Sequence, residues 1–357
     1  MRIAVLGVGL IGGSIGLAAR ERLDAEVVGW GPRAATLEKA RALNVVDTVA
    51  GSVAEAVGKA DAVFAAGPVE TLPDLVRAAL SSAPRDCVVT DVGSVKRPLV
   101  EAIDDERFCG GHPIAGAETA GVQNARSDLF EGAAWYLTPR AHTSGILYER
   151  LHRVIVAFGA RPSAIDAETH DRMLAAVSHL PHVLANVLVT QAASEVAEGE
   201  PLPRTGPSFR DATRVAGANS EIWTGIYLSN RDAIAKEIDA VVERLEDVAR
   251  ALRDADGDIV RAWNETARAD RRRLLESGLE GGTVRELRLS VPNRPGIVAQ
   301  VALALGRAGV NIADMALAPA ADMRTGSMTL WVAGDDDAAR AKQLIEELGF
   351  PTTLVEG

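Results

Sequence analysis

At 357 residues the chain exceeds one ordinary hydrophobic core and implies two or three domains; 47% hydrophobic and 24% charged residues is the balance of a folded globular protein. A net charge of −11 argues against nonspecific binding to nucleic-acid phosphates or anionic lipid, and no apolar run reaches the ~20 uninterrupted residues of a membrane span. The N-terminal run MRIAVLGVGLIGGSIG is studded with glycines and continues into a charged helical pattern with no cleavage site before Glu21. It is therefore read as a folded segment rather than a signal peptide, and a cytoplasmic location is expected. Cys87 and Cys109 lie in or beside apolar strand-like runs and read as buried thiols, not as a disulfide or redox pair.

To about residue 165, β-branched runs at 2–6, 26–30, 62–66, 87–91 and 134–138 read as strands, separated by helical patterns such as 36–43 and 71–80. Continuous apolar strands alternating with helices predict a parallel sheet covered on both faces. From about 166 to 280 the strand signal disappears. Residues 167–193 and 231–277 carry apolar positions at helical spacing over lengths that bury against other helices, often those of a second subunit, so a homodimer is expected. A Pro- and Gly-containing loop is read at 201–208. After a glycine-rich linker at 280–283, Leu287, Leu289 and Val291 alternate along a strand. A turn at 292–296 leads into a helix through Arg307; strands at 310–316 and 327–332, a helix at 337–348 and a strand at 352–355 complete the order βαββαβ, a ferredoxin-like module.

Gly7-Val8-Gly9-Leu10-Ile11-Gly12 follows the first strand and opens the first helix, the context in which such a loop binds a dinucleotide. Gly7 permits the tight turn, Gly9 lets the backbone approach a pyrophosphate, and Gly12 allows close helix–strand packing, while the free N–H groups of Leu10, Ile11 and the rest of the helix start receive the anion. The N-terminal sheet is thus of Rossmann type. The second strand ends Gly29-Trp30-Gly31-Pro32-Arg33, without the acid that usually holds a ribose 2′-OH. Arg33 either pairs with a 2′-phosphate or is a solvated surface residue; NADP is favoured, with NAD as the alternative.

Thr90-Asp91-Val92-Gly93-Ser94-Val95-Lys96 follows a strand and places Ser94 at the carboxyl edge of the sheet, where ligands of open α/β sheets bind. Gly110-Gly111-His112-Pro113-Ile114-Ala115-Gly116 puts His112 after another strand, so Ser94 and His112 are expected to face one crevice. Ser178-His179-Leu180-Pro181-His182 places two histidines three residues apart on one helix face. No third His or Cys and no acid at ligand spacing accompanies them, and no metal is expected. Arg214, in Phe209-Arg210-Asp211-Ala212-Thr213-Arg214, either holds a carboxylate or pairs with Asp211 or Glu221, and Trp223 follows on another helix.

Taken in order, GVGLIGGS, TDVGSVK, GGHPIAGAETAG, SHLPH and FRDATR followed by Trp223 resemble the prephenate and arogenate dehydrogenases of tyrosine synthesis over nearly the whole chain. The last segment, with VPNRPGIVAQV and AGVNIADM, resembles an ACT domain. The resemblance implies a Rossmann domain over 1–165, a helical substrate and dimerisation domain over 166–280, and an ACT regulatory domain over 284–357. It implies His112 as acceptor of the substrate hydroxyl proton, Ser94 as the group orienting that hydroxyl, and Arg214 as a carboxylate ligand. His182, with His179 beside it, would contact substrate, Trp223 would line the pocket, and Glu118 would lie near its entrance. Ala117 stands where the family often has a hydroxyl residue, which removes one expected substrate contact. Tyrosine or a related amino acid is the implied effector, framed by Asn293, Pro295, Gly296 and Asn311; a purely assembling ACT module is the alternative. Two other functions compete: an oxidoreductase for another small hydroxy acid or imine, whose lysine general acid is missing from 169–190, and a non-catalytic amino-acid sensor.

Overall fold

The computed structural model describes residues 1–116, 119–194, 205–277, 283–292, 294, 297–310, 312–320 and 324–355. The chain divides into two compact units, Met1–Leu202 with Thr213–Val241, and Pro203–Ala212 with Val242–Gly357.

The first unit begins β1 (Arg2–Leu6), α1 (Leu10–Leu23), β2 (Glu26–Trp30), α2 (Ala34–Ala42), β3 (Thr48–Val49), α3 (Val53–Val57), β4 (Ala62–Ala65), α4 (Leu72–Ser82), β5 (Val88–Asp91) and α5 (Arg97–Ala102). Its strands pair in parallel in the order β3-β2-β1-β4-β5. They are apolar on both faces because both faces are covered. Ile3, Val5, Val27 and Phe64 enter one buried cluster with Ile15 of α1, and Ala4, Leu6, Val28 and Val63 enter the other with Val57 and Val76 of α3 and α4. The order reverses between β1 and β4, which opens a crevice beyond their carboxyl ends. Cys87 and Cys109 are buried free thiols, and burial pushes each up to about 12.

A second sheet follows: β6 (Gly110–Pro113), β7 (Ala134–Thr138), α6 (Gly145–Ala157) and β8 (Arg161–Ala164). β6 runs antiparallel to β7, and β8 parallel to it. His112 therefore sits inside a strand, opposite Tyr136, and not in a loop after one. The flanking glycines and Pro113 hide that strand from propensity, because pairing with β7 rather than side-chain preference creates it.

The helical part contains α7 (Ala167–Leu174), a wide π-turn over Ala175–His179, α8 (Leu180–Ser194), α9 (Pro207–Thr213), α10 (Ser220–Ser229), α11 (Arg231–Arg253) and α12 (Gly257–Ser277). Pro207, expected in a loop, instead starts α9, where its missing N–H has no cost. The helix expected over 231–277 is broken: Ala255 takes φ +52° and Asp256 caps the new start through the N–H groups of Asp258 and Ile259. Ala167–Ser194 forms 28 continuous helical residues with mean hydropathy 1.5 in its most apolar window, long and apolar enough to cross a bilayer. That departs from the sequence expectation. His170, Asp171, His179 and His182 are nevertheless buried along it, as in a core helix of a polar site.

The second unit includes β9 (Val284–Pro292), α13 (Ile297–Arg307), β10 (Ile312–Pro319), β11 (Thr325–Ala333), α14 (Asp335–Glu347) and β12 (Thr352–Val355). Its antiparallel sheet has the order β10-β11-β9-β12, the expected βαββαβ arrangement. Leu287, Leu289 and Val291 point inward together and pack with Val301, Leu305 and Ile345 of the two helices.

In the first unit a buried ion pair joins the two sheets. Asp91, at the end of β5, pairs with Lys96, and both side chains are fully buried. Asp91 also accepts the N–H of Gly93 (2.7 Å) and of Gly111 (3.0 Å), while Lys96 Nζ donates to the Gly111 carbonyl (2.8 Å). The loop carrying Ser94 and the strand carrying His112 are thereby tied to one pair of charges. Lys96→Met strands a buried carboxylate and is expected to lower unfolding stability by about 3–5 kcal/mol. Lys96→Met with Asp91→Asn removes both charges and should recover part of that loss. Urea unfolding of the two variants checks the ordering.

Candidate active site

Gly7 takes φ +102°, and a Cβ there would lie 2.4 Å from the Ala66 carbonyl oxygen, so the loops after β1 and β4 meet on its bare backbone. A Cβ on Gly12 would lie 2.0 Å from the Gly7 oxygen, which demands glycine for the helix to pack on the loop. Gly9 caps α1 and has nothing within 4 Å of the position a Cβ would take, an open approach to the helix start. Leu10 and Ile11 form the first turn of α1, half-buried against the core, and that turn carries no acidic side chain to compete for the free N–H groups. Such a cradle fits a dinucleotide pyrophosphate. Arg33 is exposed and caps α2 directly after β2, at the sheet edge expected of a ribose contact.

His112 is buried, and its Nδ1 lies 2.9 Å from Nε2 of His170 on α7. Nδ1 of His170 lies 2.7 Å from Asp171 Oδ1. Asp171 also accepts the backbone N–H groups of Lys96 and Arg97, each at 2.8 Å, and so docks α7 on the start of α5. Ser94 is half-buried in the loop between Asp91 and Lys96; the hydrogen-bond partner of His112 is His170, not Ser94.

Three of the expected substrate-side residues converge. His182 stacks on Trp223 with ring centroids 3.5 Å apart and 14° between planes, and His179 meets the same indole edge-on at 6.1 Å. His182 Nδ1 is hydrogen-bonded to the Tyr227 hydroxyl, with Asn186 beside both, and its Nε2 is buried without a hydrogen-bond partner among the described residues. Asn230 donates to the Asp171 carbonyl (2.8 Å) and bonds His179 Nδ1 (3.2 Å), joining the two clusters. The π-turn makes this convergence possible. At ~100° per residue, nine α-helical steps would set His179 opposite His170; absorbing one residue in the wide turn leaves them about 80° apart. Pro181, which has no N–H to donate to Val177, is the local signal for that irregularity.

Arg214 lies exposed in a 3-10 turn directly before Val215, whose backbone neighbours the His182 ring. Glu118, Asn293, Pro295, Gly296 and Asn311 fall outside the described residues. His170, Asp171, Tyr227, Asn186 and Asn230 were not singled out from the sequence. None of these carries a local signal: His170 and Asp171 stand among Glu168, Thr169 and Arg172 on a polar first stretch of the helix.

The nucleotide-binding domain of prephenate dehydrogenase matches residues 15–163, its dimerization domain residues 166–265, and an acetohydroxyacid synthase small-subunit-like ACT domain residues 287–349. The chain is 31% identical over 356 residues to a prephenate dehydrogenase of Bacillus subtilis, covering 96% of this chain and 95% of that one. It is 33% identical over 263 residues to a cyclohexadienyl dehydrogenase of Zymomonas mobilis, covering 72% of this chain and 90% of the relative. Among solved structures, prephenate dehydrogenase from Aquifex aeolicus in complex with hydroxyphenyl propionate and NAD+ superposes with a TM-score of 0.71 at 29% identity, covering 76% of this chain and 97% of that one.

The burial that shapes the cluster also sets its charge. Burial, then Lys96, His170 and His179, holds His112 well below the usual 6.5. Burial lowers His179 to about 4, against the opposing pull of Asp171, and lowers His182 in the same direction. A histidine with a depressed folded pKa binds its proton more readily when unfolded. Its contribution to stability is therefore complete above 6.5 and is lost as pH falls toward about 4. For His179 the loss amounts to as much as about 3 kcal/mol. His179→Asn is expected to flatten the fall of stability between those pH values, and urea unfolding across that range measures it; an unchanged slope would refute the assignment.

Proposed function

The chain belongs to the prephenate dehydrogenase family, and on that premise we propose that it oxidatively decarboxylates prephenate or arogenate on the route to tyrosine, with a nicotinamide dinucleotide as oxidant. The observation that carries the reading is a buried, neutral His112 at the edge of a dinucleotide-binding sheet, bonded to the helix that also presents His182 with a free Nε2.

The substrate's carbinol carbon gives up a hydride to the bound nicotinamide, and the ring then loses its carboxylate as CO2 and becomes aromatic. His112 accepts the hydroxyl proton, a task that requires the neutral imidazole its surroundings favour. Ser94, in the loop held by Asp91 and Lys96, orients that hydroxyl. Arg214 supplies the cation for a substrate carboxylate, since its planar fork matches two oxygens at once. His182 contacts substrate from the helical side, while Trp223 and His179 fix the imidazole from two sides. Glu118 takes the position near the entrance. Gly7, Gly9 and Gly12, with the N–H groups of Leu10 and Ile11, hold the pyrophosphate, and Arg33 favours NADP over NAD.

The same reading assigns residues 1–165 to cofactor, 166–280 to substrate and dimerisation, and 284–357 to a regulatory ACT domain with a tyrosine site at Asn293, Pro295, Gly296 and Asn311. Exposed Val177, Val187, Leu188, Ile222 and Leu228 supply apolar surface for the homodimer.

Purified protein is expected to reduce NADP or NAD with prephenate or arogenate, followed by absorbance of the reduced nicotinamide. Silence in all four pairings, from folded protein, sinks the proposal. His112→Asn should lower kcat by about 10²–10⁴-fold, and the acid limb of kcat/KM in the parent should lie below 6.5, rates falling as His112 gains its proton. Arg33→Ser is expected to raise the KM for NADP about tenfold, one lost charge-assisted contact, and to spare NAD. An equal effect on both cofactors returns Arg33 to the role of a solvated surface residue.

A further inference from the structure

One histidine in the site has no place in the scheme above. His170 is fully buried, and it stands between the base and a carboxylate. We infer that His170, held by Asp171, is a positioning residue that fixes His112 as the tautomer protonated on Nδ1 and so leaves the Nε2 lone pair for the substrate. The inference rests on the proposed role of His112 and deepens it.

The assignment follows from counting donors along the chain of hydrogen bonds. Asp171 Oδ1 accepts from Lys96 N, and Oδ2 from Arg97 N, so the carboxylate is already acting as an acceptor at both oxygens. An ionised carboxylate has no proton to give, and the contact with His170 Nδ1 therefore places a hydrogen on that nitrogen. In neutral His170 the remaining nitrogen, Nε2, carries the lone pair. Its 2.9 Å contact with His112 Nδ1 then needs a hydrogen from the His112 side. A neutral imidazole protonated on Nδ1 is basic only at Nε2. When Nε2 takes the hydroxyl proton, the cation that forms still donates through Nδ1 to His170, whose own N–H rests on Asp171. The positive charge thus develops against an oriented chain ending in a carboxylate.

The surroundings leave little freedom for another arrangement. The His170 ring lies edge-on to His112 at 5.1 Å and edge-on to Tyr136 at 5.7 Å, so it is clamped between the base and the residue paired with that base across β6 and β7. Asp171 is fixed in turn by two backbone N–H groups at the start of α5 and by the Asn230 contact to its own carbonyl. A purely packing role for His170 is the competing explanation, and the two differ in which substitutions they tolerate. Gln keeps an acceptor oxygen near the position of Nε2; Leu keeps the apolar bulk and loses the acceptor.

The test uses full-length protein uniformly labelled with ¹⁵N at histidine, in which only six histidines contribute signals. His112 is assigned by the signals that vanish in His112→Asn. At pH 7.5 the expected pattern is a protonated Nδ1 and a lone-pair-bearing Nε2 on His112, passing to mixed tautomers in His170→Leu. Steady-state rates should show kcat lowered about 30- to 100-fold in His170→Leu with KM changed by less than about threefold, and kcat of His170→Gln within about fivefold of the parent. A His112 protonated on Nε2 in the parent overturns the inference. So does a His170→Gln as impaired as His170→Leu, or a His170→Leu with parental kcat. The spectrum of the parent decides the tautomer even if His170→Leu does not fold. It decides it equally if no substrate turns over, an outcome that sinks the proposed reaction and not the hydrogen-bond chain.

Discussion

The geometry of the site depends on the buried Asp91–Lys96 pair. Two charges removed from water lose several kcal/mol of hydration each, and such a pair persists only where hydrogen bonds satisfy what the partners leave over. Asp91 meets that condition with the N–H groups of Gly93 and Gly111, and Lys96 with the Gly111 carbonyl. The peptide groups on both sides of Gly111 are thus gripped one residue ahead of His112. What the pair contributes is registration more than stability: it decides where β6 stands relative to β5, and with it where His112 stands relative to the crevice. Its charge acts as well. Lys96 is among the groups that lower the pKa of His112, so the cation that places the strand also favours the neutral imidazole.

A second constraint comes from the helix that begins at Ala167. Three of its histidines are buried, and burial opposes charge on His112, His179 and His182 alike. Neutral imidazoles have one donor and one acceptor each, so every hydrogen bond along the cluster restricts the next. Asn230 occupies His179 Nδ1 and Tyr227 occupies His182 Nδ1. Nε2 of His182 is buried without a hydrogen-bond partner among the described residues, and Nε2 of His112 is not used by the His170 bond. A cluster with nearly every polar atom spoken for leaves its few unpaired atoms as the places where a ligand is recognised, and low dielectric makes each such contact strong. The cost appears below neutral pH, where these rings gain protons more readily in the unfolded chain.

Much of this was legible in the sequence, for reasons that differ by element. The strands β1, β2 and β7 fall at the expected residues because continuous β-branched runs between glycines have no competing pattern. The glycine loop was readable from its spacing between the first strand and the first helix; Gly12 is required by the nearby Gly7 oxygen, whereas the contact that requires Gly7 comes from Ala66 in the loop after β4, which the local sequence does not announce. Ser94 and His112 stood out by their place after strands, and His179 and His182 by their helical spacing; the resemblance gave these residues and Trp223 their expected roles, and the fold brings His179, His182 and Trp223 into ring contact. The ion pair, the His112–His170 bond and the Asn230 bridge were not legible. The last two span 58 residues between His112 and His170 and 59 between Asp171 and Asn230, and no local periodicity reports a partner at that distance; Asp91 and Lys96 lie close in sequence, but nothing in their spacing says that both are buried. The strand around His112 escaped for a related reason: β7, not its own composition, makes it a strand.

The placement of His112 in a strand has a mechanical consequence. A histidine in a loop can be re-aimed by small backbone changes, whereas His112 has paired neighbours on both sides, Gly111 with Leu137 and Pro113 with Trp135, and Gly111 is anchored again by Asp91 and Lys96. Its ring is then held by His170, and His170 by Asp171, which itself caps α5. Rotation of the imidazole would break a hydrogen bond in a buried site where water cannot replace it. His112 is therefore aimed before anything binds, and in its proposed role as base it need not be ordered again in each turnover. The proposed carboxylate contact is held less firmly, with Arg214 exposed on a short 3-10 turn. A rigidly held His112 suits the proposed reaction, in which one proton and one hydride leave the same carbinol group, because an error in aim there costs more than an error in grip.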